Sequence, residues 1–223
     1  MEEKTRGQQL REALLTQKKN GWDVVDEATE RAIFEYCEGY KTFLDRGKTE
    51  RGCVEYAVEL AETAGFVPLE RGMELHPGSK VYRVNRNRAV NLAVIGSTPL
   101  DQGVSITASH IDSPRLDLKP TPLYEDSELA FFKTHYYGGI RKYQWVTIPL
   151  ELRGVVAMKD GSIVNVLVGS HPGDPLFTID DLLPHLGAEQ SKKPLGEAIP
   201  AESLNILVGS RPLKDDDGKD RVK

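Results

Sequence analysis

The strongest constraint on the fold is a change of hydrophobic periodicity partway along the chain. Before about residue 65, apolar side chains recur every three or four positions, as one face of a helix requires. After about residue 80 they come in short runs bounded by Gly, Pro and polar residues, which is typical of strands. A chain of 223 residues can bury a core in one large domain or two modest ones. Helices followed by strands predict a sheet packed under helices, an α/β layer arrangement.

Three helices are predicted in the first part of the chain. The first covers residues 8–18 and the second residues 26–46, with Gly47 as its expected end. The third is expected to begin after Thr49, whose hydroxyl suits an N-cap, and to end at Gly65. The second helix carries the clearest apolar stripe: Ile33, Tyr36, Cys37, Tyr40, Phe43 and Leu44. All three helices are interpreted as scaffold.

The remaining elements are predicted to be mostly strands. The β-patterned runs are residues 80–87, 89–96, 103–112, 144–158, 162–169 and 203–209. Residues 119–127, KPTPLYEDS, contain two prolines and are predicted to form a linker. Residues 178–187, TIDDLLPHLG, are predicted to form a short helix. The change of character near residue 122 indicates a second, small, β-rich domain.

The bulk composition excludes several classes of partner. A formal net charge of −5 argues against nucleic acid, because phosphates bind to basic surfaces. The charged N-terminal residues lack the apolar core of a signal peptide, and no window has the length of a membrane span. Cys37 and Cys53 form neither a metal-ligand spacing nor a disulfide framework. We expect a cytoplasmic protein with reduced thiols and with no nucleic-acid or membrane partner.

A candidate site lies in the segment SHIDSPR, residues 109–115. If residues 103–112 form a strand, His110 and Asp112 point to the same face, and Pro114 stops the strand. The carboxyl ends of strands are where open α/β sheets bind ligands. A neutral imidazole is a good zinc ligand, and a nearby carboxylate can orient it. The residues alone also allow a purely structural hydrogen-bonded pair.

Three longer segments carry a resemblance to a known family. They are ASHIDSPRLDLKP (108–120), FFKTHYYGGIRKYQWVTIPLELRGVV (131–156) and DPLFTIDDLLPHLG (174–187). Together they resemble the aspartyl aminopeptidase family of co-catalytic zinc metallopeptidases, and most closely its bacterial members. The resemblance implies an α/β sandwich proteolytic domain interrupted by a β-rich dimerisation domain. On this basis, residues 1–121 are expected to be the N-terminal segment of the proteolytic domain, and residues 122–223 the dimerisation domain.

The resemblance also implies an activity and an assembly. Members remove the N-terminal residue from peptides with two zinc ions that share a bridging carboxylate and an activated water. Two metals suit this chemistry, because they lower the pKa of water and polarise the scissile carbonyl. Members assemble from dimers into hollow dodecamers. We therefore expect a zinc-dependent homo-oligomeric aminopeptidase that acts on peptides.

Three residues of this sequence match the family's functional positions. His110 matches a histidine that binds one zinc ion, and Asp112 matches the catalytic aspartate that orients this histidine and tunes the metal. His185 matches a histidine that the dimerisation domain offers to the active site of a neighbouring subunit, where it helps to hold the substrate. A structural role for His185 remains an equal alternative.

The sequence also departs from the family pattern. The remaining ligands of the family (a bridging Asp, a Glu-Glu pair, another Asp and a final His) lie in a segment that follows the dimerisation domain. Here Glu-Glu occurs only at residues 2–3, and His76, His135 and His171 match no ligand motif. We expect an N-terminal portion that binds zinc at most partially, is inactive alone and exposes apolar surface, either as an incomplete domain or in a compensating oligomer. The alternative function is a non-catalytic assembly or binding module.

Overall fold

The described residues of the computed structural model, 4–16, 18–214, 218 and 221–222, divide into two units between Ser109 and His110. The first unit contains three helices and a three-stranded sheet, and the second contains two small antiparallel sheets. The structure is therefore mixed α/β, as the order of periodicities predicted. No helix in the described part of the chain is long and apolar enough to cross a membrane.

The helices of the first unit precede its strands. Its elements are α1 (Arg6–Leu14), a 3-10 turn (Gly21–Asp23), α2 (Glu27–Arg46), α3 (Glu50–Thr63), β1 (Val67–Pro68), β2 (Lys80–Asn85), β3 (Ala89–Val94) and a second 3-10 turn (Leu100–Gln102). β1 pairs in parallel with β2, and β2 pairs antiparallel with β3. The predicted helices and the first two predicted strands are confirmed, although α1 begins and ends earlier than expected.

Capping residues explain why α2 and α3 begin and end where they do. The Asp26 carboxylate accepts the Thr29 N–H at 2.8 Å, and the Thr49 hydroxyl accepts the Gly52 N–H at 3.1 Å. Gly47 ends α2, where a side chain would meet the Cys53 sulfur at 2.8 Å. Gly65 follows α3 with a φ of 85°, which favours glycine. The cap at Thr49 and the helix ends at Gly47 and Gly65 are those that the sequence predicted, whereas Asp26 was predicted only as the start of the second helix.

The core of the first unit lies where α3 covers the sheet. Its buried residues are Cys53, Val54 and Ala61 from α3, and Val81 and Tyr82 from β2. The Tyr82 hydroxyl donates to the Glu62 carboxylate at 2.6 Å, which fixes the strand to the helix. By contrast, α2 buries none of its residues, and Tyr36, Tyr40 and Leu44, which are spaced four residues apart on one face, are each more than half exposed. The unit therefore exposes an apolar helix face, as expected for an incomplete domain.

The prediction of a strand over residues 103–112 is wrong. The segment forms no ladder with any residue that the structure describes, and Val104 and Ile106 are 61% and 81% exposed. A strand is stabilised by hydrogen bonds to a neighbouring strand, and the segment lacks such a neighbour within the described residues. Pro114 also ends no strand, because β4 begins at the next residue, Arg115.

The second unit is built mainly from antiparallel strands. Its elements are β4 (Arg115–Asp126), β5 (Leu129–Tyr137), a 3-10 turn (Lys142–Gln144), β6 (Leu152–Ala157), β7 (Ile163–Val168), a second 3-10 turn (Gln190–Lys192), α4 (Leu195–Ala198), a third 3-10 turn (Ala201–Ser203) and β8 (Ile206–Gly209). One sheet has the order β4-β5-β8, and β6 and β7 form a separate hairpin. Strands were predicted over residues 144–158, 162–169 and 203–209, and each of these ranges contains one.

The segment 119–127, predicted to be a linker, lies almost entirely within β4. Pro120 and Pro122 cannot donate ladder hydrogen bonds, and the register between β4 and β5 shifts between Leu118 and Leu123. The two prolines are therefore accommodated at an irregularity of an edge strand. β4 also runs through the predicted domain boundary at residues 121 and 122. The assignment of the two parts to a proteolytic and a dimerisation domain stays a prediction.

The core of the second unit packs against Leu116 of β4 and Ile206 of β8. Ile179 and Leu204 are 1% exposed, and Val146 and Ile199 pack with them. The buried Thr134 hydroxyl of β5 donates to the Leu204 carbonyl. The core therefore brings together side chains from residues 146, 179, 199 and 204, which are far apart in the sequence.

The prediction of a helix over residues 178–187 is wrong. Phe177 pairs with Leu150, and Thr178 pairs with Leu207, so the segment begins as extended chain. Only one helical turn follows, in which the Gly187 N–H donates to the Leu183 carbonyl at 2.8 Å. Pairing with distant strands overrides the local pattern here.

Asp174 closes the loop that follows β7. Its carboxylate accepts the backbone N–H groups of His171 and Gly169, each at 3.0 Å. These two hydrogen bonds, first that of His171, hold the pKa of Asp174 below its usual value. A carboxyl group with a lowered pKa stabilises the folded state above its ordinary pKa of about 4, and this contribution is lost as the pH falls through the lowered value.

Asp174→Asn is expected to remove this pH-dependent contribution while keeping an oxygen that can accept the loop hydrogen bonds. The measurement is urea denaturation between about pH 6 and pH 2, followed by the fluorescence of Trp145 in a Trp22→Phe background. The wild type should lose more stability than the variant below about pH 4. Equal losses in the two proteins would contradict the role given to Asp174.

Candidate metal-binding site

The structure brings His110 and Asp112 into direct contact. The His110 Nδ1 atom lies 3.0 Å from the Asp112 backbone carbonyl oxygen and 3.2 Å from its carboxylate Oδ1. Because both neighbours are acceptors, the neutral ring is expected to carry its proton on Nδ1. The side chain of His110 is 84% exposed. This arrangement leaves the lone pair of Nε2 available for a metal ion.

A tyrosine holds the other oxygen of the Asp112 carboxylate. The Tyr137 hydroxyl donates to Asp112 Oδ2 at 2.8 Å. This hydrogen bond is the main cause of a lowered pKa at Asp112, and the backbone N–H of Asp112 and the nearby His110 act in the same direction. The carboxylate therefore remains ionised at neutral pH and can accept a hydrogen bond from the imidazole N–H.

The position of Tyr137 follows from the register of β4 and β5. Tyr137 is the last residue of β5 and pairs with Arg115, the first residue of β4. The Arg115 guanidinium lies 4.1 Å from the centre of the Tyr137 ring, and its Nε donates to Asp117 at 2.7 Å. A strand pair and a cation–π contact thus place the phenol beside the segment that carries His110.

The described donors fit one position of a zinc site but not a complete site. Zinc needs three or four protein donors that converge on one point. No group of three or more His, Cys, Asp or Glu residues in the described part of the chain could hold a metal ion. His110 therefore suits a single zinc ligand, with Asp112 as its orienting carboxylate.

His185, the third predicted site residue, lies in a different segment from His110 and Asp112. It is in the turn at residues 184–186, and its side chain is exposed. No hydrogen bond of the described residues connects it with His110 or Asp112. An exposed turn histidine can be offered to another molecule, and its substrate-binding role stays a prediction.

The sequence reasoning missed Tyr137 and Arg115. Both lie in segments that carried the family resemblance, but neither was given a role. The contact between Tyr137 and Asp112 spans 25 positions. The pairing register of two adjacent strands was the signal that could have found it, and the expectation of a linker at residues 119–127 concealed that hairpin.

Comparisons with known proteins all lead to one family. The family model described as aminopeptidase I zinc metalloprotease (M18) matches residues 43–223. A probable M18 family aminopeptidase 1 from Clostridium acetobutylicum is 48% identical over 214 residues, which are 94% of this chain and 46% of the relative. The crystal structure of an M18 aminopeptidase from Thermotoga maritima matches with a TM-score of 0.84 and 39% identity, covering 93% of this chain and 45% of that one.

A more distant structure shares the fold. A dodecamer of a Saccharomyces aminopeptidase matches with a TM-score of 0.56 and 21% identity, covering 80% of this chain and 39% of that chain. In all of these comparisons the shared region is a part of the larger protein. The chain spans about half the length of the bacterial relatives that it matches.

Proposed function

Because this chain belongs to the aminopeptidase I zinc metalloprotease (M18) family, we propose that it forms the part of a zinc aminopeptidase that contributes His110 to the metal centre. The observation that carries the proposal is the held imidazole. Nδ1 faces two oxygens of Asp112, at 3.0 and 3.2 Å, and the exposed side chain leaves Nε2 for a metal. This is the arrangement by which proteins orient a histidine ligand.

The proposed reaction is removal of the N-terminal residue from peptides at a site with two zinc ions. His110 would be a ligand of one ion. Asp112 would keep the imidazole in the tautomer and orientation that binding requires. The other ligands would come from the part of the relatives' length that this chain does not span. The chain alone would then bind zinc at most partially and would be inactive, in line with the lack of a group of three or more potential ligands among the described residues.

The proposal extends to assembly and location. Residues 122–223 would form a dimerisation domain, and His185 would reach the active site of a neighbouring subunit to hold the substrate. Dodecameric assembly is supported by the shared fold with the Saccharomyces dodecamer. A cytoplasmic location is supported by the sequence, which has only two cysteines and no disulfide framework.

A second candidate function is an assembly module without catalysis. The observation that favours it is the exposed apolar face of α2, which includes Tyr36, Tyr40 and Leu44 and is suited to contact with other polypeptide. This function would apply to the 223-residue chain by itself. It predicts association without zinc and without peptide hydrolysis.

A chimera separates the two functions. In it, this chain replaces the matching 214-residue region of the Clostridium relative, which keeps the rest of its own sequence. We expect zinc-dependent hydrolysis of aminoacyl chromogenic substrates by the chimera and none by the chain alone. A folded chimera without activity, beside an active relative, would contradict the enzyme proposal and favour the assembly module.

A further inference from the structure

We propose that Tyr137 is a positioning residue for the metal-binding histidine: its hydroxyl holds the Asp112 carboxylate, and the carboxylate in turn holds His110. The inference rests on the proposed role of His110 as a zinc ligand. Tyr137 would contact neither the metal nor the substrate. It would instead fix the orientation of His110, which would bind the metal.

The first support is the division of the two carboxylate oxygens. Oδ2 accepts the Tyr137 hydroxyl at 2.8 Å, and Oδ1 lies 3.2 Å from His110 Nδ1. Each oxygen therefore has its own partner. An aspartate held only by the imidazole would rotate more freely about its side-chain bonds. The phenol removes that freedom and keeps Oδ1 directed at the ring.

The second support is that Tyr137 is itself held in place. Its backbone is fixed by pairing with Arg115, and the Arg115 guanidinium lies over its ring at 4.1 Å. The next residue, Gly138, has a φ of 78°, and a side chain there would touch Pro114 at 3.6 Å. The phenol thus extends from the regular end of a hairpin to a segment without secondary structure.

The third support is the exposure of Tyr137. Its side chain is not part of a buried core, because the residue is 38% exposed. Its neighbour Tyr136 is 37% exposed and lies on the other face of the strand, since adjacent residues alternate. Tyr136 therefore provides a matched control for Tyr137.

The test is the tautomer of His110 in the metal-free chain, measured from imidazole ¹⁵N chemical shifts at about pH 8.5, above the range in which imidazoles usually titrate. The signals are assigned with the variant His110→Asn. We expect the wild type to carry the proton mainly on Nδ1. In Tyr137→Phe the ratio of the Nδ1–H to the Nε2–H form should fall about fivefold, which corresponds to the net contribution of one ordinary hydrogen bond. Tyr136→Phe should leave the ratio unchanged.

A second variant keeps the inference testable if Tyr137→Phe fails to fold. Asp112→Asn leaves the tyrosine intact but removes the charged group through which it acts, and it should lower the tautomer ratio as well. In the double variant, loss of the Tyr137 hydroxyl should cause no further change, because the hydroxyl acts only through Asp112. An unchanged ratio in either single variant, or an equal fall in Tyr136→Phe, would overturn the inference.

Zinc binding by the chimera distinguishes this inference from the proposed function. Tyr137→Phe is expected to weaken zinc binding about 10-fold or more, as loss of a group that supports a ligand does, and Tyr136→Phe is not. A tautomer change without zinc binding in any form of the chimera would contradict the proposed function. Normal zinc binding with an unchanged tautomer would contradict only the role of Tyr137.

Discussion

His110→Ala is expected to lower the aminopeptidase activity of the chimera by at least about 100-fold, because even groups that only support a ligand change metal affinity or activity by about 10- to 100-fold. The variant removes the imidazole that Asp112 holds with Nε2 available to a metal ion. The measurement is kcat/KM for an aminoacyl chromogenic substrate, together with the zinc content of the purified variant. Both quantities should fall together.

His171→Ala is the matched control for this experiment. His171 is another exposed histidine of the second unit, and its contact with Asp174 is made by its backbone N–H, which alanine keeps. This variant should retain full activity and zinc content. If His110→Ala behaves like His171→Ala, His110 is not a ligand.

Leu204→Ala is expected to destabilise the second unit by about 2–5 kcal/mol, the usual cost of truncating a buried leucine. Leu204 is 1% exposed and packs with Ile179, Val146 and Ile199. Its backbone carbonyl, which accepts from Thr134, is unchanged by the substitution. The loss therefore reports side-chain packing alone. Urea denaturation followed by Trp145 fluorescence in the Trp22→Phe background measures it, because Trp145 packs against this core.

Leu186→Ala is the control for the packing prediction. Leu186 is a leucine of the same unit that is 67% exposed, so its truncation should change the free energy of unfolding by less than about 0.5 kcal/mol. Equal effects at Leu204 and Leu186 would contradict the assignment of the core.

The parts of the fold that depend on neighbouring residues were predictable from the sequence. The N-caps Asp26 and Thr49 and the helix end at Gly47 are decided within one helical turn. The strands β2 and β3 are adjacent in sequence and pair directly with each other. In these cases local chemistry and the final structure agree.

The parts that depend on distant partners were not predictable. Residues 103–112 have a strand pattern but no strand to pair with among the described residues. Residues 178–187 have a helical pattern, but the first of them, Thr178, pairs with Leu207 of β8, and the preceding residue, Phe177, pairs with Leu150. The prolines of residues 119–127 suggested a linker, although an edge strand accommodates them at a register shift.

The candidate site shows the same division. His110 and Asp112 are two residues apart, so the tripeptide alone suggested their contact, even though the strand expected to align them is absent. Tyr137 reaches Asp112 only because β4 and β5 pair in one particular register. The contact was therefore a consequence of the hairpin, and its prediction required the hairpin first.

The zinc content of the chimera and of the chain alone tests the central claim most directly. Each protein is titrated with zinc after removal of bound metal, and the number of tightly bound ions is compared with the rate of hydrolysis of an aminoacyl substrate. We expect two zinc ions and hydrolysis in the chimera, with loss of zinc and activity in His110→Ala. The chain alone should bind neither ion tightly, because one imidazole cannot hold zinc. Two tight ions with turnover in the chain alone, or a folded chimera that binds no zinc, would contradict the account.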